Sequence, residues 1–238
     1  MKGSQLTLGW SQSDRVSKSQ QAAESPQEAA QPRHECLAPG AMLLHGFALS
    51  HVNELLADLE RILSHAPPRH MVTPGGLAMS AAMTNCGPLG WISDRSGYRY
   101  SPLDPTTGKP WPALPSSFLQ LAQRAAQQAG FVDFVPDACL INCYAPGSKL
   151  TLHQDRNEHD FRAPIVSVSL GLPATFLFGG LQRRDRTSRH LLQHGDVVAW
   201  GGPSRLRFHG ILPIKPGDFA PHPLLTNQRI NLTLRRAG

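Results

Sequence analysis

The chain has 238 residues, enough for one large domain or two small ones, and 40% of them are hydrophobic, which supplies an ordinary buried core. No apolar run approaches the ~20 residues of a membrane span and no apolar signal core stands near the start, so an integral membrane protein is excluded and a secreted one is not expected. The formal charge of +6 is carried by 18 Arg and only 5 Lys, a bias toward bidentate contact with carboxylate or phosphate; an anionic substrate, cofactor or nucleic acid is the sharper reading, and a basic surface kept for solubility the blander one.

Cys36, Cys86, Cys139 and Cys143 form neither a Cys-x-x-Cys pair nor a secreted framework, which points to a reducing, cytoplasmic compartment. Residues 1–35 are rich in Ser, Gln, Ala and Glu without a sustained period and are expected to be a disordered tail. Folded sequence is expected from Cys36 onward, as one domain with an insertion. A short apolar strand over residues 41–47 precedes Ser50, a good N-cap. Val52, Leu55, Leu56, Leu59, Ile62 and Leu63 then follow steps of three and four, predicting an amphipathic helix that Pro67-Pro68 stops. Residues 69–115 are dense in Pro and Gly and read as turns and short strands, a lid that presents Trp91 and Tyr98 to a planar ligand. The plainer alternative is that these aromatics only pin a loop to the core.

Ser116-Ser117 are expected to cap a second helix, with Phe118, Leu121, Ala122, Ala125, Ala126 and Ala129 on one face and Gly130 ending it. The remainder reads as eight strands: 138–144, 150–155, 164–171, 174–178, 189–193, 196–200, 205–212 and 229–235. Two helices followed by regularly spaced strands predict an α+β fold, a double-stranded β-helix (jelly roll) with the helices packed outside one sheet.

Within this frame the chemistry gathers on two strands. Asn142/Tyr144 and His153/Asp155 each project both side chains from one strand face. An imidazole beside a carboxylate holds two positions of a divalent metal, and one further His completes the facial triad of a non-haem iron site. His-x-Asp spacing alone is weak, since random order gives about half an instance and the chain holds two. The rival, His194-Gly-Asp196, looks like a hairpin turn that would not hold both groups on one face. His34, His45, His51, His65, His70 and His222 lie in tail, turn, helix and loop positions, and His190 in the Arg-rich hairpin region. His209 differs, standing in a strand with a Gly after it that leaves room beside the ring. In the last strand Arg229, Asn231, Thr233 and Arg235 share one face and Ile230, Leu232 and Leu234 the other. On a solvent-facing edge that polar face needs no explanation; turned inward, its two Arg require an anion, and a small dicarboxylate supplies one at each end.

His153-x-Asp155, His209 and Arg229-x-Asn231-x-x-x-Arg235 together resemble the AlkB family of iron(II)- and 2-oxoglutarate-dependent nucleic-acid demethylases, and its bacterial members in particular. The resemblance runs from about Ala38 to Gly238 and includes Met71-Val-Thr-Pro-Gly-Gly, Met83-Thr-Asn-Cys-Gly, Ser101-Pro-Leu-Asp-Pro, the strand 164–173 and His194-Gly-Asp-Val-Val. It implies a dioxygenase domain over 36–238 with 69–115 as a nucleotide-recognition lid. It implies iron(II) on His153, Asp155 and His209, with 2-oxoglutarate and O2 as cosubstrates. The distal carboxylate would lie on Arg229 and Tyr144, and Arg235, Asn231 and Asn142 would hold the end that chelates the metal. Trp91, Tyr98, Met83 and Arg183 would contact the substrate, with His153 stacking on a flipped base. Four Arg within seven residues, from Arg183 to Arg189, suit phosphate contacts, although Arg184, Arg186 and Arg189 taken singly are ordinary solvated side chains.

The implied activity is oxidative demethylation of 1-methyladenine and 3-methylcytosine in single- or double-stranded DNA, with RNA as a further partner. It releases formaldehyde, succinate and CO2 and is carried out by a monomer. The alternatives are a related dioxygenase acting on a protein or small metabolite, and a catalytically silent nucleic-acid-binding jelly roll. Asn157 stands where the family's bacterial members carry an acidic residue; it is expected among the substrate contacts, and it puts the base preference in question.

Overall fold

Strand alternation explains the centre of the molecule. The computed structural model describes Met1 and residues 33–238, so the expected tail lies outside the described residues up to residue 32. In chain order the elements are β1 (His34–Ala38), β2 (Ala41–Leu44), α1 (Val52–His65), β3 (Ala82–Cys86), β4 (Gly90–Asp94), β5 (Gly97–Ser101), α2 (Ser116–Gln128), β6 (Ala138–Tyr144), β7 (Leu150–His153), β8 (Ile165–Gly171), β9 (Ala174–Phe178), β10 (Ser188–Leu192), β11 (Val197–Trp200), β12 (His209–Ile211) and β13 (Arg229–Arg235). The first strand thus begins at His34, two residues before the expected Cys36, because β1 pairs with β2 from His34 opposite Leu44.

The larger sheet has the order β1-β2-β11-β8-β13-β6-β3, the smaller one β10-β9-β12-β7, and the hairpin β4–β5 stands apart. From β6 onward the chain crosses repeatedly between the two sheets, and every pairing is antiparallel, which is the expected double-stranded β-helix. The strand β13 sits between β8 and β6, so its two faces must both be covered. Ile230, Leu232 and Leu234 are fully buried against Leu55, Leu59 and Ile62 of α1 and Phe118, Ala122 and Ala125 of α2. Each such side chain contributes roughly 1.5–3 kcal/mol by burial. A one-residue slip would exchange this face for the arginines, so the apolar triplet also fixes the register of the polar one.

Two local expectations are corrected. Ser50 does not cap α1: it lies inside a 3-10 turn, Leu49–His51, and the helix starts from His51 without a side-chain cap. Ser116-Ser117 are not caps either, since α2 starts at Ser116 after Pro115, and the Ser117 hydroxyl instead donates to buried Asp58 of α1, tying the two helices together. The segment 69–115 is tied to the larger sheet: β3 pairs with β6 as its edge, and Met71, Met83, Ile92 and Trp111 pack with Leu140 of β6 in a small core. Trp111 packs on β4 where a Cβ at Gly90 would come within 2.3 Å of the indole, so only glycine admits that contact.

Candidate metal centre and active site

The register of the smaller sheet makes the metal site. β12 pairs with β7 so that His209 stands directly opposite His153, and the rings meet with centroids 4.4 Å apart. The strands come this close because of Gly210, where a Cβ would lie 2.6 Å from the Leu150 carbonyl oxygen. This corrects one detail: the space spared by that glycine belongs to the neighbouring strand, not to the imidazole. Asp155, two residues past His153, brings Oδ1 to 3.6 Å from His153 Nε2 and Oδ2 to 3.5 Å from His209 Nε2. These three side chains are the one group of His, Cys, Asp and Glu among the described residues placed to hold a metal together.

The donor chemistry fits a divalent ion. His153 Nδ1 lies 2.9 Å from the Thr151 carbonyl and His209 Nδ1 3.0 Å from the Arg207 carbonyl. Carbonyls only accept, so each Nδ1 carries the proton and each Nε2 lone pair is left facing the carboxylate. Desolvation, then the adjoining His209, push the His153 imidazole down to about 4, so it stays neutral. Burial opposes the charge on Asp155, but Arg235 and then the two histidines outweigh it and hold the carboxyl well below the usual range. Two imidazole nitrogens and one anionic oxygen, with one face open to a cavity, are the ligand set of a facial triad. His194-Gly-Asp196 is a turn as expected: Gly195 has φ +86°, His194 Nδ1 accepts from the Gly171 amide, and both Asp196 oxygens accept from backbone amides.

The polar face of β13 looks inward. Arg229 is fully buried, with Tyr144 directly opposite. Its Nη2 donates to Ser169 Oγ at 2.8 Å and its Nη1 to the Leu172 carbonyl at 3.3 Å, while Nε has no partner and no carboxylate among the described residues bridges it. Burial draws the guanidinium down to about 10, against the opposing pull of Tyr144 and Asp196. A buried cation with an orphaned donor is costly unless an anion arrives, so a ligand carboxylate fits here. Asn231, opposite Asn142, is held by Ser167, the Val168 carbonyl and Thr233. Arg235 donates to Asp155 Oδ2 at 2.7 Å, so the larger sheet also steadies the metal carboxylate.

Residues that the spacing did not reveal complete this web. Glu158 is buried and accepts from the Tyr100 hydroxyl at 2.7 Å; it bridges Arg205 at 3.0 Å and Arg235 at 3.5 Å. Arg205 also donates to the Asp155 carbonyl at 2.7 Å. Asn85 of β3 clamps Trp91 through both its backbone groups at 3.0 Å. Tyr100 shares a strand face with Tyr98, and that parity was the one readable signal for it.

A cavity of about 870 Å³ joins these parts. Every expected site residue lines it: the triad, Asn142, Tyr144, Arg229, Asn231 and Arg235 at its floor, buried Met83 opposite Asn142, and Trp91, Tyr98, Asn157 and Arg183 toward its mouth. Trp91 and Tyr98 stack with ring centroids 5.6 Å apart and 14° between planes. The Trp91 indole donates to Asn157 Oδ1 at 3.1 Å, and Arg183 donates to the Leu152 carbonyl at 2.6 Å.

A jelly roll carrying a His-Asp-His triad and a buried arginine clamp defines a metal-dependent oxygenase core. Residues 40–235 match the model of the 2OG-Fe(II) oxygenase superfamily. The alpha-ketoglutarate-dependent dioxygenase AlkB of Escherichia coli is 61% identical over 88% of this chain and 95% of its own length. The human nucleic acid dioxygenase ALKBH1 is 38% identical over 46% of this chain and 29% of its own. The solved structure of OsALKBH1, 30% identical, superposes with a TM-score of 0.74 over 86% of this chain and all of that one. The chain therefore belongs to the 2OG-Fe(II) oxygenase superfamily and, within it, to the AlkB family. It is an iron(II)- and 2-oxoglutarate-dependent dioxygenase. Among the described residues no helix is long and apolar enough to cross a membrane.

Proposed function

We propose that this protein reverses alkylation damage directly, by oxidative demethylation of 1-methyladenine and 3-methylcytosine in single- or double-stranded DNA and also in RNA. The observation that carries this reading is the shared cavity, in which a metal triad, a dicarboxylate clamp and an aromatic pair open on one space. The kinship with a human nucleic acid dioxygenase supports nucleic acid as the substrate class. The reading takes residues 36–238 as the dioxygenase domain, 69–115 as the nucleotide-recognition lid, and a cytoplasmic monomer as the working form.

When bound, iron(II) with 2-oxoglutarate and O2 supplies the oxidant, giving succinate and CO2 and placing one oxygen on the methyl carbon. His153, Asp155 and His209 hold the metal. Arg229 and Tyr144 take the distal carboxylate of 2-oxoglutarate, and Arg235, Asn231 and Asn142 orient its other end. Trp91 and Tyr98 offer flat faces to an extruded nucleotide, Met83 lines the base pocket, and Arg183 meets the phosphate backbone. The hydroxymethyl amine that results loses formaldehyde without further help from the chain. Incubation with iron(II), 2-oxoglutarate and an oligonucleotide carrying 1-methyladenine is expected to yield formaldehyde and succinate in equal amounts. Turnover of 2-oxoglutarate with no loss of methyl from any methylated base would overturn the reading in favour of a protein or small-metabolite substrate.

A further inference from the structure

The aromatic pair rides on a piece of sheet too small to hold itself. β4 and β5 form a hairpin outside both larger sheets, and two strands alone are marginal in water. Trp91 stands opposite Tyr100 and Ser93 opposite Tyr98, so Trp91, Tyr98 and Tyr100 share one face of the hairpin. Among the described residues β4 pairs with β5 alone, which leaves its other edge without a strand.

Asn85 fills that place. It is fully buried on β3, its Nδ2 donates to the Trp91 carbonyl at 3.0 Å, and its Oδ1 accepts from the Trp91 amide at 3.0 Å. One side-chain amide thereby makes the two bonds that a neighbouring strand makes to one residue. β3 is paired in turn with β6, the strand of Asn142 and Tyr144, so the backbone of Trp91 is tied to the sheet that carries the arginine clamp. At its far end the Trp91 indole donates to Asn157 at 3.1 Å, but Asn157 is exposed and water competes there. The buried contact is the one that can fix the strand.

Resting on the demethylase reading, we propose that Asn85 is a positioning residue for the reaction, setting the plane of Trp91 on which an extruded nucleotide stacks. Asn85 is not among the residues that line the cavity, so it acts through Trp91 and not on the substrate. Stacking on Trp91 contributes in full only while Asn85 holds the strand.

Hydrogen exchange read by nuclear magnetic resonance tests the contact without any variant and without nucleic acid. With zinc(II) and 2-oxoglutarate bound, the Trp91 amide should exchange about a hundredfold more slowly than an open edge amide. In steady-state assays with iron(II), Asn85→Ala should raise KM for the methylated oligonucleotide about fivefold, with kcat and KM for 2-oxoglutarate little changed. In the Trp91→Ala background the same substitution should add nothing, because the ring it positions is gone. Exchange at Trp91 as fast as at an open edge would overturn the inference, and so would an Asn85→Ala effect of equal size with and without Trp91. Should Asn85→Ala fail to fold, exchange in the wild-type chain decides alone. Wild-type enzyme that consumes 2-oxoglutarate but removes methyl from no base would overturn the demethylase reading, and with it the stacking role given to Trp91, while a slow Trp91 amide would still establish the contact.

Discussion

The floor and the mouth of the cavity are built on opposite principles. At the floor, Arg229 is fully buried on a central strand and Asp155, His209 and Arg235 are nearly so. At the mouth Tyr98 is 45% exposed and Asn157 and Arg183 lie open to solvent. A buried charge cannot be altered without leaving its partner desolvated and unpaired, so the floor is constrained to one chemistry. An exposed side chain can be exchanged at the cost of its own contacts alone, so the mouth is where one member of a family can differ from another.

Removing the metal, or making Asp155→Ala, is expected to abolish turnover altogether, and with it any dependence on the base; measurable formaldehyde from that variant would break the assignment of the triad. Next in size, Arg229→Met should raise KM for 2-oxoglutarate about a hundredfold while leaving KM for the oligonucleotide unchanged, as steady-state kinetics would show. Were both constants to rise together, floor and mouth would not be separable. Glu158→Gln leaves all three metal ligands in place but weakens the hold on both arginines that steady Asp155, so iron affinity should fall about tenfold, read by metal titration. Trp91→Ala should raise KM for the oligonucleotide about tenfold through lost stacking, with kcat per bound base little changed. Smallest of all, Arg183→Ala should weaken binding severalfold for every sequence alike and lower the salt slope by about one, the mark of a phosphate contact.

How much of this was legible follows from how far apart in the chain the interacting groups lie. The alternation in β13 can be read within seven residues, and it placed the arginine face correctly because apolar and polar positions are strictly separated. His153 with Asp155 is legible for the same reason. The register that sets His209 across from His153 is a property of paired strands, and only the context of that one histidine hinted at it. Glu158 gives no such local sign: its partners are Tyr100, Arg205 and Arg235, each more than forty residues away, and an isolated Glu in a charged loop reads as solvated. Helix starts failed differently. Ser50 and Ser117 are good caps by type, but a 3-10 turn extended one helix start and a buried carboxylate on α1 claimed the other hydroxyl.

The site also lies across a seam. His153 and His209 belong to the smaller sheet, and Arg229 and Arg235 to the larger. An ion and a dicarboxylate bound together between them act as a cross-link that the unfolded chain cannot form, so their binding free energy becomes folding free energy. At a free concentration of one hundred times the dissociation constant, a single such ligand adds about 2.7 kcal/mol to stability. Thermal denaturation therefore measures occupancy of this site without any catalysis. In a cell short of iron or 2-oxoglutarate, the same coupling would lower the persistence of the folded enzyme along with its rate.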